Sequence, residues 1–156
     1  MALHVVFVNP EIPPNTGNIA RTCAATDSVL HLVKPLGFDI SDKTVKRAGL
    51  DYWPFVKLEV HENFEEFLEK YKDHRMWLST TKGRQLYTDV QYQDEDMLLF
   101  GRETAGLPRE FIFGHLDQAI RIPMSESTRL RSFNLANSAN IVLFEALRQL
   151  GFPNLK

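Results

Sequence analysis

Six short apolar runs constrain what this chain can become: Leu3 to Val8, Val29 to Val33, Phe55 to Val60, Met76 to Ser79, Met97 to Phe100 and Ala119 to Ile122. Leu3 to Val8 is continuous, rich in Val and too short for a helix, which is the signature of a strand buried on both faces of a parallel sheet. Helical stretches separate the runs. One spans about Asn18 to Thr26; Asp42 caps a short second one through Arg47. Asn63, with Glu66 three residues on, opens an amphipathic helix through Tyr71 whose apolar face is Phe64, Phe67, Leu68 and Tyr71. Pro108 suits the first position of another. Strands alternating with helices predict an α/β fold, a six-stranded and mostly parallel sheet. At 156 residues the length prior gives one domain over 1–156.

Open parallel sheets bind ligands at the carboxyl ends of their strands. Three such ends stand out here: Ser79-Thr80-Thr81, Phe100-Gly101-Arg102-Glu103 and Ile122-Pro123-Met124. A fourth loop, Asn9 to Asn18, holds three prolines and Gly17, and delivers Arg21 one turn into a helix. Prolines stiffen the loop, and Gly17 allows a positive φ or a close backbone approach. The stretch from Ile122 to Leu147 passes from strand to polar loop to a helix whose first turns carry Asn134, Asn137, Ser138 and Asn140. Such residues lower helix propensity. They read either as a plain polar N-cap or as a helix end kept for a carboxylate or phosphate.

Other chemistries fall away. The single Cys23 rules out an internal disulfide and reads as a small core residue among Ile19, Ala24 and Ala25. Five histidines show no metal-ligand spacing, so no metal is expected, and no Ser-centred nucleophile elbow is present. Gly101 and Gly106 bracket four residues as in a P-loop, but Leu107-Pro108 stands where Lys and Ser/Thr belong. Asn15-Thr16-Gly17-Asn18 lacks the dinucleotide glycines. No apolar run approaches a membrane span and the N-terminus has no basic leader, so the cytoplasm is the expected location. A net charge of -2 does not advertise nucleic acid. Lys43, Lys46 and Arg47, Lys82 with Arg84, and Arg129 with Arg131 are either solvated surface charge or parts of one local patch.

Several spaced blocks together resemble a known family: Asn9 to Arg21, Leu36-Gly37-Phe38, Gly49 to Tyr52, Phe100 to Pro108, and Ile122-Pro123-Met124 followed by Arg131 to Ser138. In order and spacing they are similar to the SPOUT class of RNA methyltransferases, nearest within it to the TrmL (YibK) family of small tRNA wobble-nucleotide ribose methyltransferases. The resemblance implies a C-terminal deep trefoil knot, which periodicity would not suggest. It implies S-adenosylmethionine as cofactor, touched by Ser79, Gly101, Ile122 and Ser132, with Met124 and Leu135 walling the adenine. An apolar slot with close backbone suits a flat base, although Ile122, Met124 and Leu135 are equally ordinary core types.

The implied reaction is methyl transfer to the ribose 2′-OH of the wobble nucleotide, C or U at position 34, of tRNA, with leucine isoacceptors expected. The implied partner is the anticodon stem-loop, held by a homodimer with a composite site into which Arg21 reaches from the other subunit. A guanidinium keeps its proton at ordinary pH, so Arg21 fits a phosphate clamp or a stabiliser of the forming alkoxide better than a base. Asn15, Ser132 and Asn134 are candidates to orient the ribose or support the cofactor. Ser125 to Leu130 is longer than the family's usual loop, and Arg131, beside Ser132, takes the family's arginine position ahead of Arg129. Arg102 stands where relatives often have Pro. The competing readings are ribose methylation of another RNA such as ribosomal RNA, and a non-catalytic knotted RNA-binding protein.

Overall fold

The computed structural model describes residues 2–41, 53–127, 130 and 132–156. Along these the elements run β1 (His4–Val8), α1 (Pro13–Thr26), β2 (Val29–Val33), β3 (Lys57–His61), α2 (Phe64–Lys70), β4 (Met76–Ser79), β5 (Gln85–Leu86), β6 (Met97–Phe100), α3 (Arg109–Gly114), β7 (Ala119–Arg121) and α4 (Leu135–Gln149). Short 3-10 turns occupy Trp53–Phe55 and Leu116–Gln118. The strands form one parallel sheet in the order β3-β2-β1-β6-β4-β7-β5. Strand order reverses between β1 and β6, so the crevice for a ligand opens on that side of the sheet.

Helices cover both faces, which is why β1 is apolar at every position but one. Val5 and Phe7 point into a core with Ile19, Ala20 and Cys23 of α1 and Ala139, Val142 and Leu143 of α4. Val6 and Val8 point the other way, onto Phe67, Leu107 and Ile112. Period-two alternation thus splits a continuous run between two layers. Cys23 is fully buried, and burial pushes its thiol up to about 12, as expected for a core residue.

The described residues form seven strands, where six apolar runs predict six. The extra one, β5, is two residues long and lies at the sheet edge, where Gln85 Nε2 donates to the carbonyls of Asp117 (2.9 Å) and Ala119 (3.3 Å). Two residues carry no readable alternation. Helix α1 begins at Pro13 and not near Asn18, with prolines in its first turn, where the missing N–H groups have no helical partner to lose. Gly17 is therefore a buried helical residue, and of its two uses the positive φ is not taken. β3 starts at Lys57 because Trp53–Phe55 is a turn, β7 ends at Arg121, and Pro108 is the N-cap of α3, not its first residue. The Asn63 cap is as predicted: its Oδ1 accepts from the Glu66 N–H at 2.8 Å. The helix expected from Asp42 to Arg47 lies outside the described residues.

Candidate functional site

A cavity of about 600 Å³ opens over the carboxyl ends of β4, β6 and β7, within the size range of small-molecule sites. Its floor depends on two glycines. Gly106 has φ +72° and donates its N–H to the Arg102 carbonyl at 2.8 Å, closing a turn that folds back over Gly101. A Cβ on Gly101 would lie 1.9 Å from the Gly106 carbonyl carbon. Only glycine permits that approach. The apolar side is made by Ile122, Met124 and Leu135; Leu135 is 8% exposed and packs with the core, as does half-buried Ile122. Ile122 and Leu135 thus pack with the core and line the cavity at once, whereas Met124 only lines the cavity.

Eight of the nine residues singled out in the sequence line this cavity: Asn15, Ser79, Gly101, Ile122, Met124, Ser132, Asn134 and Leu135. Arg21 does not; it is exposed on α1, outside the lining. Asn134 serves as a true N-cap, its Oδ1 accepting from the Asn137 N–H at 3.2 Å, and it still faces the cavity. With the carboxamide oxygen used on the helix, its NH₂ is what it can offer a ligand. Arg129 and Arg131 lie outside the described residues.

Sequence reasoning gave no role to the pair that holds the site together. The Glu103 carboxylate accepts from the backbone N–H groups of Glu11 (2.8 Å) and Ile12 (2.9 Å) and from Asn15 Nδ2 (3.0 Å). In return, Glu11 Oε1 accepts from the Thr104 N–H (3.0 Å) and hydroxyl (2.7 Å). The Thr104 hydroxyl and then its N–H hold the Glu11 carboxyl below its usual range, with the charge of Arg102 adding to them. Two loops some ninety residues apart are thus cross-linked by reciprocal charge-assisted bonds. Both acids stand in the blocks quoted above, but only a fold brings them opposite each other.

The histidines, scattered in sequence, gather in space. His4 Nδ1 meets His31 Nε2 at 2.8 Å, His31 Nδ1 meets His61 Nε2 at 3.0 Å, and His4 Nε2 meets Glu95 at 2.8 Å. Ring centres are 5.1 and 5.2 Å apart, the spacing of imidazoles meeting nitrogen to nitrogen in line. The arrangement is a hydrogen-bonded file. It lies under α2, where burial drives the pKa of His31 and of His61 down.

An open parallel sheet with a glycine-floored, apolar-walled cavity at its carboxyl edge defines an α/β protein built to hold a nucleoside-sized ligand. The chain belongs to the SpoU rRNA Methylase family, whose model matches residues 2–144. It is 47% identical to the tRNA (cytidine(34)-2′-O)-methyltransferase of Escherichia coli (strain K12), over 97% of this chain and 96% of that protein. A solved structure described as giving structural insights into the 2-OH methylation of C/U34 on tRNA superposes with a TM-score of 0.89 at 42% identity, over 96% of this chain and 97% of that one. The AdoMet-bound rRNA methyltransferase of Sinorhizobium meliloti superposes with a TM-score of 0.85 at 28% identity, over 96% of this chain but 57% of its own. Among the described residues, no helix is long and apolar enough to cross a membrane.

Proposed function

We propose that this chain transfers a methyl group from S-adenosylmethionine to the ribose 2′-OH of nucleotide 34, C or U, of tRNA, as a homodimer acting on the anticodon stem-loop. The observation that carries the reading is the cavity, in which eight residues assigned by resemblance converge on one glycine-floored slot. Its chemistry fits the cofactor. Gly101 lines the slot with bare backbone that can read a base edge, Ile122, Met124 and Leu135 offer apolar surface to a flat ring, and Ser79 and Ser132 add polar atoms to the lining. When bound, S-adenosylmethionine supplies an electrophilic methyl on a sulfonium. The knotted threading implied by the family belongs to the same reading.

The residues of the chain have to align the ribose and manage its proton. Asn15, immobilised by Glu103, and Asn134, immobilised by its own helix cap, present polar groups that have already lost their rotational freedom. Fixed groups orient a reacting hydroxyl without entropic cost at the moment of reaction. Arg21, exposed on α1 and outside the lining of its own cavity, would serve the cavity of a second subunit, where its charge would hold the target phosphate or stabilise the forming alkoxide. The relatives' names support tRNA over ribosomal RNA as substrate.

The test is transfer of labelled methyl to total tRNA from a strain lacking the gene, followed by mapping of the labelled nucleotide. Label on the ribose of nucleotide 34 is expected. Label elsewhere would overturn the substrate, and no label with intact cofactor binding would overturn the activity.

A further inference from the structure

Apart from Arg21 and Lys156, the cations of the described residues divide into two groups. Lys34, Lys57, Lys70, Lys72, Arg75 and Arg148 each pair with a carboxylate. Lys82, Arg84, Arg102, Arg109 and Arg121 have no ion-pair partner among the described residues, and each lies at the cavity or next to the β7–β5 edge. Lys82, Arg102 and Arg109 line the cavity. Arg84 directly precedes edge strand β5, and Arg121 ends β7, paired with Leu86. The acids at the mouth, Glu103 and Glu11, are held against the loops by five hydrogen-bond donors and form no ion pair with these cations, although the charge of Arg102 acts on Glu11.

The positions are fixed as well as charged. Thr80 N–H donates to the Ile120 carbonyl at 2.9 Å, and Gly83 N–H donates to the Thr80 carbonyl at 3.1 Å. A Cβ on Gly83 would meet the Ile120 carbonyl carbon at 2.6 Å. The turn carrying Lys82 and Arg84 is therefore seated directly on β7. In a chain of net charge -2, a row of unpaired, rigidly mounted cations leading from a cavity to a sheet edge is a local field suited to a polyanion.

Resting on the function proposed above, we infer that Lys82, Arg84 and Arg121, with Arg102 and Arg109 at the mouth, form a track for the RNA phosphodiester backbone. The track leads from the methyl-transfer cavity onto the β7–β5 edge of the same subunit. It differs in kind from the Arg21 contribution, which comes from the other subunit. Phosphate contacts of this sort position the RNA and carry no base preference.

The experiment measures anisotropy of a fluorescent 17-nucleotide anticodon stem-loop RNA on the full-length protein between 50 and 200 mM salt. It compares wild type with Arg84→Gln/Arg121→Gln and with Arg84→Lys/Arg121→Lys. Losing two phosphate contacts should lower the slope of log affinity against log salt by about 2. Affinity at 50 mM salt should fall about 10-fold or more, with cofactor affinity unchanged and the slope restored in the lysine variant. An unchanged slope in the glutamine variant overturns the track, and so does tighter binding of heparin than of RNA with the same slope. Failure of wild type to label nucleotide 34 overturns the proposed activity instead, and the slope comparison still decides the track.

Discussion

Asn15 and Glu103, 88 residues apart, meet at 3.0 Å through one hydrogen bond from the Asn15 amide to the Glu103 carboxylate. That bond joins the proline-stiffened start of α1 to the loop that floors the cavity. Glu103→Gln keeps the shape but removes the charge that satisfies three donors at once. Charge-assisted bonds of this type contribute about 1.5–3 kcal/mol, so kcat for methyl transfer should fall about 10- to 100-fold. Cofactor affinity should change less. Steady-state kinetics beside calorimetric cofactor titration would check the split, and equal losses in both would mean that Glu103 supports the cavity floor and not the ribose.

Gly101→Ala tests the floor directly. With a Cβ placed 1.9 Å from the Gly106 carbonyl carbon, the turn to Gly106 has to open. Loss of cofactor affinity by at least about 10-fold is expected, with melting lowered by a few degrees, because overpacking typically costs about 1–3 kcal/mol. Isothermal titration with S-adenosylmethionine and a thermal melt suffice.

How much of this was legible in the sequence depends on range. Apolar runs of strand length announced six strands, although β3 is largely exposed or half-buried, and the Asn63 cap showed because capping is local; at Asn134 the sequence left a polar cap and a ligand-binding helix end both open. β5 stayed hidden because two residues have no period. The start of α1 is hard to read because Pro13 and Pro14 fit a loop as well as a first helical turn. Cavity residues were assigned through resemblance; Ile122 and Leu135 alone would have passed for core. The cross-link of Glu11 and Glu103 and the histidine file are contacts between distant segments, and no local rule reports those.

The file makes its own prediction. A carboxylate only accepts, so Glu95 takes a proton from His4 Nε2; in the neutral file His4 Nδ1 accepts from His31 Nε2, and His31 Nδ1 from His61 Nε2. All three should appear as Nε2–H tautomers in two-bond ¹H–¹⁵N spectra at pH 7.5. Around it stand Glu59, Lys70 and Tyr71, with Glu66 near His61. Burial lowers His31 below its ordinary 6.5, so below that pH the unfolded chain binds more protons than the folded one. Stability contributed by His31 is full above pH 6.5 and lost as the pH falls, by about 1.4 kcal/mol per pH unit. Urea unfolding at pH 7.5 and 5.5 would show it, and equal midpoints would refute it.

The composite site can be tested by mixing two dead chains. Arg21→Ala spoils what one subunit lends to its partner, whereas Met124→Trp fills the apolar slot of its own cavity. If Arg21 works across the dimer, a mixed dimer contains one site in which both contributions are intact and one in which both are spoiled. Denaturing and refolding equal amounts together makes about half the dimers mixed, so methyl transfer should return to about a quarter of wild type. If Arg21 served its own cavity, every site in the mixture would lack one contribution and activity would stay at the level of the separate variants. Sedimentation giving a monomer at micromolar concentration would remove the composite site altogether.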